Sequence, residues 1–347
     1  MSTVSIALCF DDGYCTHAAG TLASIVNHAT DGNQYDIYIV HDGINEHNQN
    51  QLKETNNRSN IAIKFVPFDI STAMGEGGHL YVSRNVSAST YTRLFLHRIL
   101  PGIDRILYLD GDVIATSDIA ELFNEDLEGC PIGVCVDSAV RYRGVEALKR
   151  ARLISELPEL SGYHFAYDYF KDYLGLADSE IASYFNAGVA LFDNTKAVKH
   201  FERLPDVMQK KYYTYDQDIL NIIFKDDKKL LDDKYNTFVD FYPEFVREHK
   251  KPPTVIHYAG PKPYERKAKP GDEHYWDAIK GTGYYEDAKA RLDYSIRLNS
   301  RRKILRRLLK YLIGRKQYDL LKTDPGMFFS SRQSRFFRWI GNFYMKL

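Results

Sequence analysis

The first half of the chain alternates short apolar runs with stretches of helical length, and few folds accommodate this alternation. Three runs, VSIALCF (4–10), YDIYIVHD (35–42) and IAIKFVPF (61–68), have the length and composition of strands. The segments between them, THAAGTLASIVNHA (16–29) and NEHNQNQLKETNNR (45–58), have the length of helices. Helices that connect successive strands are typical of parallel sheets. We therefore predict an α/β fold with a mainly parallel sheet flanked by helices.

The pattern continues further along the chain but becomes less regular. SASTYTRLFLHRIL (87–100) predicts a helix that leads into the strand DRILYL (104–109). PIGVCVDS (131–138) and YFNAGVALFD (184–193) predict two further strands. Residues 141–180 are rich in Tyr, Leu and charge without strand periodicity. We expect them to form a helical insertion near a site, because ligands of open α/β sheets gather at the carboxyl ends of the strands.

The charge of the chain is distributed unevenly. Of 347 residues, 44% are apolar, which indicates a packed globular protein, and the formal net charge is zero. Residues 291–347 nevertheless hold 15 Lys/Arg and 3 Asp/Glu, a net charge of +12, whereas the other 290 residues hold 31 and 43, a net charge of −12. A basic tail on an acidic body indicates an anionic partner for the tail.

Two segments give the basic tail its character. In SRRKILRRLLKYLI (300–313), apolar residues recur at helical spacing and Arg or Lys fills the remaining positions, which predicts an amphipathic helix at an anionic membrane surface. RFFRWIGNFYMKL (335–347) again mixes aromatic and basic residues. Docking of the tail on the acidic body is the alternative. The strong apolar face argues against a tail that binds nucleic acid, so no nucleic-acid partner is expected.

Several features predict a cytoplasmic protein that contacts a membrane surface. The four cysteines, Cys9, Cys15, Cys130 and Cys135, show no CxxC spacing, and we expect free thiols in a reducing compartment. The N-terminus has no basic segment before its short apolar run, so no signal peptide is predicted. No window has the roughly 20 apolar residues that a membrane-spanning helix needs.

The segment RILYLDGDVIA (105–115) interrupts a buried strand with two carboxylates, which is costly unless something pairs with them. An Asp-Gly turn between two strands is one explanation. A metal site is the other, because residues i and i+2 of an extended chain point the same way, so Asp110 and Asp112 can converge on one ion. Gly111 between them permits a close approach to the backbone. Hard oxygen ligands suit Mg²⁺ or Mn²⁺.

Three further segments carry candidate functional residues. They are FNAGVALFD (185–193), YDQDILN (215–221) and HYAGPKPY (257–264). The last offers His257, whose imidazole would favour Mn²⁺ over Mg²⁺, and Lys262, whose charge can neutralise a diphosphate. The other two offer amide and carboxylate side chains next to apolar runs. Each segment also has an ordinary structural explanation: a β-bulge, a helix N-cap at Asp218 and a histidine at a strand end.

These segments, in this order, resemble glycosyltransferase family 8, and most closely its bacterial α-galactosyl- and α-glucosyltransferases that extend lipopolysaccharide or lipooligosaccharide. FDDGY (10–14) and TYTRLFL (90–96) belong to the same match, which covers roughly residues 4–265. Several ordered motifs are far more specific than any one of them. The resemblance implies a GT-A fold, in which a Rossmann-like sheet binds a nucleoside diphosphate sugar. It also implies a catalytic domain over residues 1–265 and a basic, helical, membrane-associating region over residues 266–347.

The resemblance implies roles for individual residues. Mn²⁺, or Mg²⁺ in its place, would bind Asp110, Asp112 and His257. A UDP-hexose would contact Asp11 and Tyr14 at the uridine, Arg93 at the sugar or diphosphate, Asn186, Ala187, Asp216 and Gln217 at the hexose, and Gly260 and Lys262 at the phosphates. Gly13 stands where relatives often carry Asn, which removes one side-chain contact to the nucleotide. Gly111 separates the two metal-binding carboxylates.

The implied reaction moves glucose or galactose from UDP-hexose to a saccharide or lipid-linked glycan acceptor and retains the anomeric configuration. Retaining glycosidases place a carboxylate nucleophile beneath the anomeric carbon, whereas the resemblance places Gln217 there, a poor nucleophile. We expect a front-face substitution in which the amide oxygen of Gln217 stabilises the cationic centre. A covalent intermediate on Asp216 is the alternative. The enzyme is expected to bind peripherally to the inner face of the cytoplasmic membrane.

Three other functions are compatible with parts of the pattern. A sugar nucleotidylyltransferase needs a basic Gly-rich loop after its first strand, but DDGYCTHAAG (11–20) is acidic and contains no Lys or Arg. A catalytically silent sugar-nucleotide-binding protein is disfavoured by the complete set of Asp110, Asp112 and His257. A self-glycosylating primer of the glycogenin branch is compatible with the 26 tyrosines, none of which is marked as an acceptor.

Overall fold

The computed structural model describes residues 3–74, 88–155 and 157–298. The chain forms two compact units, one of residues 1–263 and 268–286, and the other of residues 264–267 and the described residues from 287 onward. The tail segments 300–313 and 335–347 lie outside the described residues. None of the described helices has the length and hydropathy of a membrane span.

Short strands and helices alternate over the first part of the described chain, and runs of successive helices follow β6, β7 and β10. The strands are β1 (Thr3–Cys9), β2 (Gln34–His41), β3 (Ile61–Pro67), β4 (Arg105–Leu109), β5 (Val113–Ala115), β6 (Ile132–Val136), β7 (Phe185–Asp193), β8 (Lys229–Leu230), β9 (Thr237–Phe238) and β10 (Val255–His257). The α-helices are α1 (Cys15–His28), α2 (Glu46–Glu54), α3 (Ile70–Met74), α4 (Leu96–Ile99), α5 (Ala120–Phe123), α6 (Ser138–Arg143), α7 (Val145–Leu148), α8 (Ala166–Asp168), α9 (Asp178–Ala182), α10 (Asn194–Phe201), α11 (Leu204–Val207), α12 (Asp216–Ile223), α13 (Tyr242–His249) and α14 (Asp272–Ile279). Residues 285–298 are also helical.

The strands form a large sheet and a small one. The large sheet has the order β3-β2-β1-β4-β7-β6-β8. Its β1, β2, β3 and β4 run parallel to one another, as do β6 and β8, and β7 is antiparallel to both of its neighbours. This arrangement confirms the predicted mainly parallel sheet. The small sheet, β5-β10-β9, was not predicted, because its strands have only two or three residues each and carry no periodicity.

Burial explains why the central elements have apolar sequences. β4 is buried over four of its five residues, and β7 over eight of its nine. Strands in the middle of such a sheet are covered on both faces and therefore read as continuous apolar runs. α1 is buried along most of its length because it packs against β5 and α14. Gly20 permits this packing, since a Cβ there would lie 3.0 Å from the ring of Tyr275.

The predicted helix 87–100 has a different geometry from the one expected. Residues Ala88–Phe95 form a 3-10 helix, and only α4 beyond it is α-helical. Both apolar and polar side chains of the 3-10 segment are buried, among them Leu94 and Arg93. A segment that is buried on nearly all sides is not subject to the constraint that shapes an amphipathic surface helix.

The insertion predicted over residues 141–180 consists, in its described part, of short helices joined by non-helical segments. It contains α6 to α9 and a π-helical turn at Tyr169–Tyr173. Its apolar side chains, including Leu160 and Phe170, join the main hydrophobic core. All four cysteines are free thiols, as predicted.

Candidate active site

The DGD segment lies where the chain crosses from the large sheet to the small one. β4 and β5 flank it, and they belong to different sheets. The Asp110 amide still follows the large sheet and donates to Gly188 O of β7 at 2.7 Å. Asp112 O instead accepts from Tyr258 N, directly after β10, at 2.9 Å. The two carboxylates therefore mark the boundary of both sheets rather than the turn of a hairpin.

His257 reaches this boundary through the antiparallel pairing of β10 with β5. It lies opposite Val113, the residue that follows Asp112. His257 Nε2 lies 3.3 Å from Asp112 Oδ1 and 3.8 Å from Asp110 Oδ2. One ligand atom from each of the three residues lies within 4.8 Å of the other two. We call Asp110, Asp112 and His257 the metal-ligand cluster.

The chemistry of the metal-ligand cluster fits a divalent cation. His257 Nδ1 lies 3.0 Å from Oδ1 of Asn236, an atom that can only accept a hydrogen bond. Nδ1 therefore carries a proton, and Nε2 is the ring atom that faces the carboxylates. Two carboxylates and one imidazole are ligands that suit Mn²⁺, and Mg²⁺ less well.

Gly188 of β7 allows the cluster to be this compact. A Cβ at this position would lie 2.3 Å from His257 Cε1 and 2.7 Å from Asp110 Oδ2. Either contact is closer than a real Cβ tolerates, so a side chain here would displace the imidazole or the carboxylate. The pairing of β7 with β6 is also irregular here, since Val134 lies opposite Ala190 but Val136 lies opposite Phe185. The β-bulge considered from the sequence and the close approach of Gly188 to the cluster therefore occur in the same stretch of β7.

Lys262 brings a positive charge to the cluster. Its Nζ forms an ion pair with Asp112 and donates to Tyr258 O at 3.0 Å, and the residue is 8% exposed. Burial would raise the pKa of Asp112, but the charges of Lys262 and His257 outweigh it and hold that pKa well below its usual range. Gly260 turns the chain between these two residues with a φ of 82°, which other residues rarely adopt.

Arg93 links the cluster to the side of the site predicted to hold the hexose. Its Nη2 lies 2.8 Å from Asp110 Oδ1, and its Nε lies 2.8 Å from Asp216 Oδ2. Nη1 donates to Ala187 O at 2.8 Å. The guanidinium also lies over the ring of Tyr108, 4.4 Å from its centre. These contacts fix the two carboxylates relative to each other, and the predicted contact of Arg93 with a donor stays a prediction.

Asp216 is buried at the start of α12. Burial raises the pKa of its carboxyl group to about 6, although the charge of Arg93 opposes the rise, and the neighbouring Asp110 adds to it. Thr90 Oγ1 donates to Asp216 Oδ1 at 3.0 Å. One oxygen of the carboxylate thus accepts a hydrogen bond from a hydroxyl, whereas Oδ2 forms an ion pair with the guanidinium but accepts no hydrogen bond from the described residues.

The amide of Gln217 is held at both ends. Its Oε1 accepts from Asn186 Nδ2 at 2.7 Å and from Ala187 N at 3.2 Å. Its Nε2 donates to the hydroxyl of Tyr184 at 3.3 Å. The side chain therefore has a single orientation that satisfies all its neighbours.

A chain of amides connects Gln217 with the metal-ligand cluster. Asn186 Oδ1 accepts from Gly188 N and from Asn236 Nδ2, each at 2.9 Å. Asn236 in turn holds the His257 ring, as described above. We call Gln217, Asn186 and Asn236 the amide chain. It fixes the spacing between the cluster and the α12 side of the site.

An open cavity of about 490 Å³ adjoins the metal-ligand cluster and the amide chain, and its volume is within the range of small-molecule sites. Its lining consists of Thr90, Arg93, Asp110, Ala187, Gly188, Tyr213, Thr214, Tyr215, Asp216 and Gln217.

Tyr215 has φ 56° and ψ −122°, values of a turn position that glycine usually occupies. Gln217 N closes this turn by donating to Thr214 O at 3.1 Å. Such strain in a cavity wall is typical of functional sites.

Tyr14, predicted to stack on the uridine, lies beside the DGD segment. Its ring is stacked on His17, with centroids 4.1 Å apart and planes 8° apart. A Cβ at Gly111 would lie 3.1 Å from the Tyr14 ring, so Gly111 makes room for it. Lys262 Nζ lies 5.8 Å from the centre of the same ring. The predicted base-binding and phosphate-binding residues therefore meet at one place.

The turn that carries Asp11 and Gly13 is anchored by their neighbour Asp12. The Asp12 carboxylate accepts hydrogen bonds from Asn45 and Asn48, which lowers its pKa. Asp11 itself is half-buried at the start of the turn. A Cβ at Gly13 would make ordinary contact, with Asp11 Oδ1 3.4 Å away as its nearest neighbour. The space at Gly13 is therefore open to a side chain such as the Asn of relatives.

Four residues of the site were not identified from the sequence. Tyr108 donates to Asp110 Oδ1 at 2.6 Å, Asn236 orients His257, Tyr184 contacts Gln217, and Gly188 gives the cluster its space. Gly188 lies in the quoted segment FNAGVALFD, where a small residue beside Asn186 was a usable signal. Tyr108 contacts a residue only two positions further along the chain, but nothing in the sequence distinguishes it from other buried tyrosines. Asn236 and Tyr184 act on residues 21 and 33 positions away, and such contacts leave no local pattern.

A protein-family model matches most of the chain. Residues 5–268 match the model described as Glycosyl transferase family 8. This range includes every residue that the sequence analysis assigned to the site. The match agrees with the resemblance stated from the motifs.

Curated relatives are glycosyltransferases and a stress protein. Glycosyltransferase GlyF of Streptococcus pneumoniae serotype 4 is 28% identical over 267 residues, which cover 74% of this chain and 55% of that protein. Lipopolysaccharide 1,2-glucosyltransferase of Escherichia coli K12 is 29% identical over 220 residues, which cover 58% of this chain and 57% of that protein. General stress protein A of Bacillus subtilis is 22% identical, with coverage of 76% and 88%. The chain spans just over half the length of the first two.

Solved structures share the fold. The bifunctional glycosyltransferase WbbM has a TM-score of 0.71 at 26% identity, with 84% of this chain and 52% of that chain covered. The galactosyltransferase LgtC, solved with donor and acceptor sugar analogs, has a TM-score of 0.61 at 23% identity, with coverage of 82% and 96%, and its likeness is one of fold alone. The predicted GT-A fold is thereby confirmed. From its sequence match and its fold, the chain belongs to glycosyl transferase family 8.

Proposed function

We propose that the protein is a retaining hexosyltransferase that moves glucose or galactose from UDP-hexose to a glycan acceptor and depends on Mn²⁺. The observation that carries the proposal is the convergence of the metal-ligand cluster beside a cavity that Asp216 and Gln217 line. Membership of the family and the relative named as a lipopolysaccharide glucosyltransferase support the same reaction.

The charged end of the site is suited to the diphosphate of the donor. When bound, Mn²⁺ would supply Lewis-acid neutralisation of the phosphate charge. Lys262 adds a buried ammonium group next to the cluster, and a preformed positive charge stabilises the negative charge that develops on a departing UDP. Tyr14, the residue proposed to contact the uracil, lies beside Lys262.

The other end of the site is suited to the sugar. The bond between the anomeric carbon and the UDP oxygen breaks, the acceptor hydroxyl forms the new bond on the same face, and its proton passes to the departing phosphate oxygen. Gln217 stabilises the cationic centre through the negative end of its amide dipole. Asp216 is a poor candidate for a covalent nucleophile, because Arg93 and Thr90 engage both of its oxygens.

The experiment that tests this proposal is UDP release by the purified protein. UDP-glucose, UDP-galactose and UDP-N-acetylglucosamine are supplied separately, with Mn²⁺ or with EDTA. We expect slow, Mn²⁺-dependent hydrolysis of one hexose donor, which would also identify the sugar. No turnover of any donor, together with no Mn²⁺-dependent UDP binding in calorimetry, would overturn the proposal in favour of a catalytically silent protein.

We also propose that the basic tail holds the enzyme on the inner face of the cytoplasmic membrane, where a lipid-linked acceptor would lie. The net charge of +12 over residues 291–347 and the amphipathic pattern of residues 300–313 support this. Replacing Arg301, Arg302, Arg306 and Arg307 by Glu in the full chain should abolish sedimentation with vesicles rich in phosphatidylglycerol. Vesicles of phosphatidylcholine alone provide the control. Equal sedimentation of the wild type and the fourfold variant with the phosphatidylglycerol-rich vesicles would contradict the proposal.

A further inference from the structure

Asp218, two residues after Asp216, is a buried carboxylate with an unusual environment. It is fully buried, and no Lys or Arg pairs with it in the part of the chain that the structure describes. The hydroxyl of Tyr184 donates to Oδ1 and the hydroxyl of Tyr169 donates to Oδ2, each at 2.7 Å. Burying a charge without a cation is costly, so an arrangement that retains one calls for an explanation.

The capping role considered from the sequence does not account for Asp218. α12 begins at Asp216, and the N-cap position is Tyr215. Asp218 Oδ2 accepts from Thr214 N at 2.8 Å, which ties the preceding turn to the helix. Oδ2, which also accepts from Tyr169, therefore has a structural role in holding this turn. Oδ1, on the other side, leads through Tyr184 towards the active site.

Counting protons fixes the direction of every hydrogen bond around Tyr184. Its single hydroxyl proton goes to Asp218 Oδ1. Its oxygen therefore accepts both from Gln217 Nε2, 3.3 Å away, and from Thr214 Oγ1, 2.8 Å away. Tyr184 can receive the NH₂ end of the Gln217 amide but has no proton left for the carbonyl end.

The opposite end of the Gln217 amide meets the complementary constraint. Asn186 Nδ2 and Ala187 N both donate to Gln217 Oε1. A flipped amide would turn its NH₂ towards these two donors and its oxygen towards the Tyr184 oxygen. Buried polar groups left without partners in this way are strongly disfavoured.

Asp218 also affects the charge on the Gln217 oxygen. Hydrogen bonds in a chain polarise one another. A carboxylate that accepts from Tyr184 makes the Tyr184 oxygen a stronger acceptor, and a stronger acceptor at Nε2 draws electron density to the carbonyl oxygen of the same amide. The expected result is a more negative Oε1.

We propose that Tyr184, with its proton held by Asp218, is a positioning residue that fixes the Gln217 amide and makes its oxygen more negative for stabilising the cationic centre. The inference rests on the proposed function, because it assigns Tyr184 and Asp218 to that reaction. Neither residue touches the donor; both act through Gln217.

Tyr169 provides a matched control for Tyr184. Both tyrosines are buried, and each donates one hydroxyl to an oxygen of Asp218, but in the described contacts only Tyr184 reaches Gln217. Tyr184→Phe and Tyr169→Phe are compared for kcat, donor KM and thermal unfolding. We expect both to lower the unfolding temperature, whereas only Tyr184→Phe lowers kcat, by about tenfold, with the donor KM within about twofold of wild type. Equal kcat values for the two variants would overturn the inference.

A double-mutant cycle separates positioning from general disturbance of the fold. In a Gln217→Ala background, Tyr184→Phe should no longer change kcat, because the group through which it acts is gone. The same fall in kcat in both backgrounds would overturn the inference. Wild-type activity is measured first: turnover of a UDP-hexose with no difference between the tyrosine variants removes only the inference, whereas no turnover at all removes the proposed function as well.

Discussion

The metal-ligand cluster and the amide chain lie side by side, yet different forces hold them. The cluster consists of charges that pair with other charges, Asp110 with Arg93 and Asp112 with Lys262. The amide chain consists of neutral groups, and each of its donors meets one acceptor in a fixed direction. Ion pairs tolerate exchange of one cation for another, whereas a directional network tolerates only one arrangement.

Because of this difference, the metal-ligand cluster and the amide chain have different functions in the site. Because Lys262 neutralises Asp112, the cluster is a stable part of the fold in the absence of an ion and can exchange partners when a charged ligand enters. The amide chain cannot rearrange in this way, so it keeps a constant distance between the cluster and α12. Substitutions in the cluster should therefore change binding and chemistry, and substitutions in the amide chain should change alignment.

The largest effect is expected from Asp112→Asn. Loss of a charged metal ligand should reduce Mn²⁺-dependent UDP release by about a thousandfold or more, because the charge on the departing UDP is no longer neutralised. Asp42→Asn, an exposed acid directly after β2, is the control and should match wild type. Activity of Asp112→Asn within tenfold of wild type would mean that the cluster does not hold the ion.

Gly188→Ala tests whether the metal-ligand cluster requires the close approach of β7 beside the amide chain. The added methyl group would displace His257 or Asp110, and we expect activity to fall by about a hundredfold, together with Mn²⁺ affinity measured by calorimetry. Gly162→Ala is the control, since a Cβ at Gly162 meets nothing within 4 Å. Unchanged Mn²⁺ affinity in Gly188→Ala would show that the cluster can expand without loss.

Asn236→Ala tests the joint between the amide chain and the cluster. Without its partner at Nδ1, His257 loses its fixed ring orientation, and we expect Mn²⁺ affinity to fall about tenfold. Asn221→Ala is a matched control, because Asn221 is similarly buried but bonds only backbone groups, those of Phe185 and Gln217, in the described contacts. Both variants should be less stable, and equal Mn²⁺ affinities would contradict the role given to Asn236.

The smallest effect concerns His97, which belongs to neither region and sets the baseline for pH experiments. Burial lowers the pKa of His97 to about 4, and the charge of Arg98 lowers it further; the ring is stacked on Phe201 at 4.7 Å. Because the folded-state pKa lies below the ordinary value of 6.5, the stability contributed by neutral His97 is present above pH 6.5 and is lost as the pH falls towards 4. After solvent screening the loss is on the order of 1 kcal/mol.

The measurement for His97 is thermal unfolding of wild type and of His97→Leu between pH 4 and pH 7. The variant should lose less stability in acid than wild type does. Any acid sensitivity that remains then belongs to other titratable groups, among them carboxylates such as Glu121, whose pKa is lowered by its hydrogen bond with Lys234. An identical loss in both proteins would remove His97 from the pH dependence.

The sequence predicted the parts of the fold that leave a long local pattern. Six strands, β1 to β4, β6 and β7, were placed close to their observed bounds because each is an apolar run of five to nine residues. β5, β8, β9 and β10 have two or three residues each, too few for any periodicity. The 3-10 segment before α4 was read as a regular helix, because burial of both its polar and its apolar side chains is invisible in the sequence.

The same rule applies to the site. Asp110 and Asp112 form a local pattern, and the ordered motifs of the family supplied His257. Asn236 and Tyr184 were missed, because their importance depends on contacts with His257 and Gln217, which are distant in the sequence. The sequence therefore predicted the charged groups together with Asn186 and Gln217. The structure was needed to find Asn236 and Tyr184, the neutral partners that orient His257 and Gln217.

The pairing of β10 with β5 also has a consequence for synthesis on the ribosome. The strands of the large sheet come from residues 3–230, a range that also contains Asp110 and Asp112, whereas His257 emerges only later. A nascent chain can therefore pair β1 with β4 and β7 while its two carboxylates still lack their third ligand. The complete set of metal ligands forms only when β10 has paired with β5. Metal binding by a growing chain would therefore indicate that the small sheet has formed.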